Sequence, residues 1–392
     1  MKILTLSDTH IGRYKYGKIT NTGNDSRTED ILNNIDQAID YADKNKINII
    51  VFDGDLYHEK KPSEIYKRLL AQRISRILSL KIEVFILTGN HDQGKTSAHN
   101  MSEMFEMSSH IELLNIIENP EIRTYDDFEL YFFPHINRID SNIAKEKFAE
   151  HQLENIRKLC SKAKKSKIKH KIFFGHFGTN VSKSGNSFDL GSMTDLDDVV
   201  SISEFDKDVW NKVYLGHIHK QQEINEVVRH VGSTARIDFG EENEQKGFYV
   251  WENGKDNFIK LKDRQFKTLE IDLNCDDARK KMNEVCSEIQ DLDLSKAITR
   301  LKVTIKTNDK KIISFKGIED YLKDVSWTYI GKSITEIREE HNIVFSETSE
   351  ELNHQQIFVN YVGAMKEKIK PELFENIIET GKRILSEVSN GA

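Results

Sequence analysis

Carboxylate and histidine side chains follow short apolar runs in this sequence. The clearest case is the apolar run 49–52, which ends in Asp53, Gly54 and Asp55 and is followed by His58. A run that is apolar on both faces is typical of a strand covered on both sides, and ligands collect where such strands end. The pattern therefore indicates metal-binding chemistry, although an Asp-Gly pair is also a strong signal for a hairpin turn.

The same arrangement occurs four more times along the chain. Four further apolar runs, at 2–6, 82–87, 171–174 and 213–215, are each followed by Asp, Asn or His, which gives the candidate ligands Asp8, His10, Asn90, His176, His217 and His219. Together with Asp55 they supply enough oxygen and imidazole ligands for two divalent ions, and no cysteine is among them. We therefore expect residues that are far apart in the sequence to converge on a pair of metal ions.

Hydrophobic periodicity predicts the elements that position these ligands. Apolar residues repeat every three to four positions over 28–44, 143–163, 276–289 and 314–323, after Pro62-Ser63 as far as Leu78, and after Pro371, and each of these stretches is predicted to be a helix. Further strands are predicted over 129–133, 226–231, 248–251, 258–261, 268–273 and 299–306. A methionine-rich stretch, 99–114, suits either core packing or a contact surface. The sequence therefore alternates strands and helices, as in an α/β protein.

Composition limits the class of protein. At 392 residues the chain exceeds the usual size of a single core, so we expect one large domain and one or two smaller ones. No apolar run approaches the ~20 residues of a membrane span and no signal-peptide core precedes the first strand, so we expect a cytoplasmic protein with no membrane contact. The three cysteines, Cys160, Cys275 and Cys286, form no CxxC pair, which favours a reduced compartment and no structural zinc.

The ordered motifs resemble a known family. The series Asp-x-His, Gly-Asp-x-x-His, Gly-Asn-His-Asp, Gly-His and Gly-His-x-His resembles the calcineurin-like metallophosphoesterases. The stretches 54–58, 232–241 and 246–248 look most like the SbcD branch, whose members are nucleases of double-strand-break repair that work with an SMC-like ATPase. The resemblance is specific over residues 1–250 and only architectural beyond them.

This resemblance implies a fold and a division into domains. The expected fold class is α/β, a sandwich of two mixed sheets flanked by helices, with a small α+β capping domain and a C-terminal helical segment that binds the partner. We expect the nuclease domain to cover residues 1–262, the DNA-capping domain 263–335, and the linker with the ATPase-binding helix 336–392. The polar stretch 341–354 suits such a linker.

The resemblance also assigns the site residues. It implies one ion held by Asp8, His10, Asp55 and His219, and a second held by Asp55, Asn90, His176 and His217, with Asp55 as the bridge. His91 is expected to protonate the departing 3′ oxygen, and His58 to orient DNA or the site; both are candidate catalytic residues. Asp53 and Asp92 are expected to hold histidines in the correct tautomer. Two divalent ions, with Mn²⁺ the best fit in the family, are the expected cofactors, although the ligand types also suit magnesium, iron or zinc.

The expected partners are DNA, an SbcC-like ATPase and a second copy of the chain. Candidate DNA contacts are Arg13, Lys15, Lys183 and Arg236, although the polar loop 12–27 also suits a solvated surface. The net charge of −7 disfavours a broad DNA-binding surface and favours a local basic groove or a partner that holds the DNA. The ATPase is expected to bind the C-terminal helix, and helices near 99–114 are expected to pair two subunits.

Three functions are compatible with these residues. The first is a manganese-dependent DNA nuclease, both an exonuclease and an endonuclease on single strands and hairpins, in double-strand-break repair. The second is a phosphoesterase of the same superfamily that acts on nucleotides or phosphoproteins. The third is an interaction subunit whose metal centre only stabilises the fold. Because every ligand that the family uses is present, an active enzyme is favoured.

Overall fold

A computed structural model of the chain describes residues 1–21, 23–93, 109–136, 144–182, 199–337, 358–359, 362–363, 366 and 370–390. The chain forms two compact units, the first comprising Met1–Thr304 with Ser314–Thr335, and the second Ile305–Ile313 with Glu336–Ala392. Most of the methionine-rich stretch and the predicted linker 341–354 lie outside the described residues. Among the helices that are described, none is long and apolar enough to cross a membrane.

Two six-stranded mixed sheets form the body of the first unit. The first sheet contains β1 (Lys2–Leu6), β2 (Ile49–Asp53), β3 (Glu83–Leu87), β4 (Leu114–Ile117), β13 (Gly247–Glu252) and β14 (Lys255–Lys260), in the order β14-β13-β1-β2-β3-β4. The second contains β5 (Glu121–Thr124), β6 (Phe128–Phe133), β7 (His170–Gly175), β10 (Lys212–Leu215), β11 (Gln222–Glu223) and β12 (Val228–His230), in the order β11-β12-β10-β7-β6-β5. Two short strands, β8 (Gly178–Thr179) and β9 (Val199–Val200), pair with each other outside these sheets. In each large sheet the central strands are parallel, which places their carboxyl ends at the same edge.

The two sheets pack face to face between layers of helices. One buried cluster joins side chains of both sheets, including Val51 of β2 and Phe174 of β7. On the outer face of the first sheet lie α1 (Ser26–Asn45) and α2 (Glu64–Ser79), and α3 (Lys145–Lys165) covers the outer face of the second. The four-layer α/β sandwich confirms the predicted fold class, and it explains why the central strands are apolar on both faces.

Helix α1 shows how local sequence sets an element boundary. The helix was predicted to begin at Thr28, but it begins at Ser26, because the Asp25 side chain caps it by accepting hydrogen bonds from the amides of Arg27 and Thr28 at 2.8 and 3.2 Å. It ends where Lys46 adopts a left-handed conformation with φ 56°. The following residues enter β2, the strand that Asp55 follows.

A smaller α+β region follows, and most of its residues belong to the first unit. It is built around a three-stranded sheet of β15 (Gln265–Leu273), β16 (Ala297–Lys306) and β17 (Thr328–Ile337), with α4 (Ala278–Gln290) and α5 (Lys316–Val325). The predicted boundary at residue 262 lies inside one compact unit. Ion pairs fix this point of the chain, because Arg236 binds Asp263 at 3.0 Å and Asp30 binds Arg264 at 2.6 Å.

The second unit ends in the helix α6 (Pro371–Asn390). One part of its apolar face contacts the preceding segment: an added Cβ at Gly381 would collide with the ring of Phe358, and Lys366 lies over the ring of Phe374. Another part of the same face is open, since Leu373 is 47%, Ile377 38% and Ile384 50% exposed. The helix therefore packs against its own chain with only part of its apolar surface.

Candidate metal centre

All five ligand-bearing runs are strands, as predicted, and their carboxyl ends meet. Asp8 follows β1, Asp55 follows β2 and Asn90 follows β3, which are neighbours in the first sheet. His176 follows β7 and His217 follows β10, which are neighbours in the second. Because the two sheets face one another, five loops from different parts of the chain reach one place.

The first predicted ligand set is compact. The ligand atoms of Asp8, His10 and His219 lie within 4.8 Å of one another. His10 Nε2 lies 2.9 Å from His219 Nε2 and 3.8 Å from Asp55 Oδ2. Two imidazole nitrogens this close must share a proton or direct their lone pairs at one cation. The arrangement fits the second alternative, because two carboxylates stand beside them.

The second predicted set surrounds the same aspartate. His176 Nε2 lies 3.3 Å from Asp55 Oδ2, and the ligand atoms of Asp8, Asp55 and His176 lie within 4.8 Å of one another. His217 Nδ1 lies 3.1 Å from Asn90 Oδ1. Asp55 therefore stands between the two sets, where a bridging ligand belongs.

The backbone is strained at these ligands. Asp8, His10, Asp55 and His217 adopt positive φ angles of 50°, 49°, 52° and 75°. Such conformations are uncommon outside glycine and collect at functional sites. Gly54, with φ 85°, has the ring of His176 where a side chain would begin. The glycine of the Gly-Asp motif is therefore required by close packing as well as by backbone conformation.

Buried carboxylates make positive charge favourable at the site. Burial would lower the pKa of His176, but the charge and hydrogen bond of Asp55 raise it to about 10. Burial would likewise lower the pKa of His219, but Glu241 raises it to about 9. Burial raises the pKa of Asp8 despite the opposing charges of the two histidines. The buried carboxylates thus stabilise positive charge at His176 and His219, so the residues present fit a metal centre.

One important contact was not predicted from the sequence. His219 Nδ1 donates to Glu241 Oε1 at 2.9 Å, which leaves Nε2 for a metal. Glu241 is held in turn by Lys246 Nζ at 2.7 Å, and Lys246 also binds Glu244 at 2.9 Å and the carbonyl oxygen of His219 at 3.1 Å. The only sequence signal was that Glu241 and Lys246 lie in the stretches that resemble the SbcD branch.

The two remaining aspartates were both predicted to hold a histidine, and only Asp53 does so. The Asp92 carboxylate accepts the backbone amides of Leu56, Tyr57 and Gly89 at 3.0 to 3.2 Å, so it joins the loops after β2 and β3 instead of orienting a histidine. Asp53 does orient His176, but through its carbonyl oxygen, which lies 2.8 Å from Nδ1. Backbone geometry thus performs the role that was expected of a carboxylate.

His91 and His58 lie beside the ligands. His91 donates its backbone amide to Asp55 Oδ1 at 2.8 Å, and its Nδ1 donates to the carbonyl oxygen of His58 at 2.8 Å. The His58 Nε2 lies 2.7 Å from Nη1 of Arg13. Because a guanidinium only donates, His58 Nε2 is the acceptor and the ring is neutral. The His91 ring is 4.9 Å from that of His10, centroid to centroid.

The predicted DNA contacts differ in their exposure and in the groups that they bind. Arg13 reaches the site through His58, and Lys15 is exposed in the same loop. Arg236 is only 7% exposed, and its guanidinium binds Asp263 and the carbonyl oxygens of Glu242, Glu244 and Arg264. The prediction for Arg236 was therefore wrong, because its cation is used inside the protein. Lys183 lies outside the described residues.

Comparison with known proteins agrees with this geometry. The model of the calcineurin-like phosphoesterase family matches residues 1–221. The SbcD subunit of the SbcCD nuclease from Staphylococcus saprophyticus is 30% identical over 284 residues, which are 69% of this chain and 72% of that protein. Its counterpart from Staphylococcus epidermidis is 27% identical over 69% of this chain and 73% of its own length.

A more distant relative matches a shorter segment. The DNA double-strand break repair protein Mre11 of Saccharolobus solfataricus is 24% identical over 143 residues, which are 36% of this chain and 35% of that protein. The matched family model includes the loops after β1, β2, β3, β7 and β10, and so it includes every predicted metal ligand. The chain belongs to the calcineurin-like phosphoesterases, in the family that includes the SbcD subunit of the SbcCD nuclease.

Proposed function

We propose that this protein is a manganese-dependent DNA nuclease with a dinuclear metal site, which works with an SbcC-like ATPase in double-strand-break repair and recombination. The proposal depends mainly on one observation: the seven predicted ligands come from both sheets and converge at one place, with Asp55 among the other six. The relatives that match most of the chain are nuclease subunits by name, which supports DNA as the substrate. Oxygen and imidazole ligands without sulfur are compatible with Mn²⁺, the ion that fits best within the family that the sequence resembles.

Each of the two ligand sets is proposed to bind one metal ion. Asp8, His10, Asp55 and His219 would hold one ion, and Asp55, Asn90, His176 and His217 the other. When bound, such a pair supplies a water of lowered pKa and neutralises charge on the phosphodiester. The chain contributes the orientation of each ligand. Asp8, for example, accepts the backbone amide of His217 at 3.1 Å, which ties the loop of one sheet to the loop of the other.

His91 is the proposed acid for the departing 3′ oxygen. Its Nδ1 is committed to the carbonyl oxygen of His58, so Nε2 is the nitrogen that can give up a proton. An imidazole suits this role because its pKa lies near neutral pH. Since the His91 amide also holds Asp55, the acid and the bridging ligand have a fixed relation.

His58 is proposed to orient the substrate and not to transfer protons. Its Nε2 accepts from Arg13, which keeps the ring neutral, and Arg13 has further donors for a DNA phosphate. Arg13, which contacts His58, and Lys15, which is exposed in the same loop, are the proposed contacts to the DNA backbone.

DNA cleavage with and without metal tests this function. Linear and hairpin DNA incubated with Mn²⁺ should be cleaved, and a chelator should abolish the reaction. His91→Ala should lose DNA cleavage but retain hydrolysis of bis(p-nitrophenyl) phosphate, whose leaving group needs no proton. Asp8→Ala should lose both reactions. Unaltered DNA cleavage by either folded variant would contradict the assignment.

The same assays test two alternative functions. A phosphoesterase for nucleotides or phosphoproteins would hydrolyse those esters and leave DNA intact. A scaffold protein would hydrolyse neither, with or without Mn²⁺. The metal-ligand geometry disfavours the scaffold, because strained backbone at four ligands is retained where chemistry requires it.

The C-terminal helix is the proposed binding site for the ATPase. Part of its apolar face already contacts Phe358, and the exposed residues Leu373, Ile377 and Ile384 form the remaining stripe. An apolar stripe at this spacing is typical of a helix that lies in a partner's groove. Two of the relatives are named as subunits of SbcCD, which supports an ATPase of SbcC type as the partner.

Deletion of residues 371–392 tests the partner assignment. The shortened protein should not bind the ATPase but should still hydrolyse a model phosphodiester. Binding that survives the deletion would refute this assignment and leave the nuclease proposal intact. A homodimer stays a prediction, and sedimentation of the protein without its ATPase would test it.

A further inference from the structure

The end of α3 and its connection to β7 are strongly basic. Residues 157–171 contain eight lysines and arginines and no acidic residue, in a chain whose net charge is −7. Such a segment can be a solvated connection, which is the default interpretation of a charge run. The alternative is a surface that binds a polyanion. The three-dimensional arrangement of the cations distinguishes these two interpretations.

The lysines form one continuous stripe. On α3, Lys158, Lys162 and Lys165 repeat at helical spacing and are exposed, on the side opposite the buried Ile156 and Ala163. The stripe continues beyond the helix through Lys167 and Lys169, which are also exposed. These five lysines are called the lysine surface here: Lys158, Lys162, Lys165, Lys167 and Lys169. They extend over roughly 20 Å, counted from the rise of a helix and of an extended chain.

Within the described part of the chain, none of these five lysines forms an ion pair with a carboxylate within 4.0 Å. Of the surrounding acids, Glu204 is paired with Arg157 at 2.8 Å. Asp127 lies beside His170, at the start of β7. Lys158 donates to the amide oxygen of Asn155 at 3.3 Å. Lysines in the last turn of a helix complement its dipole, but Lys167 and Lys169 lie past that turn. Stabilisation of α3 therefore does not account for the whole stripe.

The lysine surface is remote from the metal centre. It lies at the start of β7 (His170–Gly175), whereas the ligand His176 follows its end. Six residues of strand separate the two by roughly 20 Å. A duplex carries one phosphate per 3.4 Å on each strand, so about six base pairs would be needed to reach from one to the other.

We infer that the lysine surface binds the backbone of DNA away from the bond that is cut. The inference rests on the proposed nuclease function, which makes nucleic acid the expected polyanion. A row of flexible cations about 20 Å long matches about six phosphates of one strand and reads no sequence. It is also a local basic surface of the kind that an acidic protein needs in order to hold DNA.

Salt-dependent binding tests the inference. The triple variant Lys162→Gln, Lys165→Gln and Lys167→Gln should bind a duplex of about 30 base pairs more weakly than the unaltered protein. The plot of log affinity against log salt should become shallower by about 2.7, at about 0.9 for each lysine that reaches a phosphate. The matched control replaces the exposed, scattered Lys44, Lys255 and Lys280 by Gln, with the same change in net charge.

The outcomes separate this inference from the proposed function. Binding by the triple variant that equals binding by the control would overturn the inference. The unaltered protein could instead bind anionic vesicles, and the triple variant could lose this binding while its DNA binding is unchanged. That result would assign the surface to membranes and would also overturn the inference. A substrate with fewer than about six base pairs beyond the cut should be cleaved equally by all three proteins. If none of the three proteins cleaves this short substrate, the proposed nuclease function is rejected. The salt dependence of DNA binding then tests the lysine surface independently.

Discussion

Replacing Glu241 by glutamine tests how the chain holds one metal ion. Glu241 is fully buried, and one of its oxygens lies 2.9 Å from His219 Nδ1 while the other lies 2.7 Å from Lys246 Nζ. Glutamine keeps the size and can still accept from His219. It loses the charge that makes the imidazole a stronger ligand, and its amide group would face the ammonium of Lys246.

The expected magnitude follows from this contact. Loss of a partner that orients a ligating histidine weakens metal affinity about 10- to 100-fold, or about 1.4 to 2.7 kcal/mol. Only the ion bound by His219 should be affected. The other ion depends on His176, which is oriented by the Asp53 carbonyl oxygen. A titration with Mn²⁺ should therefore change from two tight sites to one tight and one weakened site.

Glu244→Gln is the matched control for Glu241→Gln. Glu244 also binds Lys246, at 2.9 Å, but it makes no contact with a predicted ligand. We expect this variant to bind two Mn²⁺ ions as the unaltered protein does. Calorimetry counts the sites, and thermal unfolding shows that each variant is folded. Two unchanged sites in a folded Glu241→Gln protein would refute the reasoning.

Three further predictions concern separate parts of the molecule. His91→Ala should lower the rate of DNA cleavage about 10²- to 10⁴-fold without changing Mn²⁺ affinity, and a loss of metal binding would show that His91 is a ligand instead. Asp92→Asn should lower the free energy of unfolding by about 1 to 3 kcal/mol in urea, because one oxygen replaces two that accept three amides; unchanged stability would contradict this role. Ile384→Glu should abolish binding of the ATPase at an unchanged melting temperature, whereas Glu379→Gln on the exposed surface of the same helix should not.

The core strands and helices were predictable because their signal is local. A strand buried on both faces is an unbroken apolar run, and all five runs with ligands at their ends were found in this way. Three of the strands that were missed, β4, β5 and β17, each lie at the edge of a sheet with a single neighbour. In β17 no residue is fully buried, so its sequence lacks the alternation that reveals a strand.

The metal centre was only partly predictable. Asp and His residues after apolar runs show that ligands exist, but their grouping came from a family resemblance. The pairing of Glu241 with His219, and the use of Arg236 inside the protein, depend on contacts between residues distant in the chain. Neither leaves a periodic pattern. The same holds for Asp92, since two of its three backbone partners, Leu56 and Tyr57, are distant from it in the chain.

The central claim is that Asp55 stands between two metal ions. The most direct measurement is diffraction from a crystal soaked in Mn²⁺, recorded at the manganese absorption edge. We predict two anomalous peaks, one between Asp55, His10 and His219 and one between Asp55, His176 and His217. A folded protein with no peak at Asp55, and with His217 turned away from it, would contradict the account.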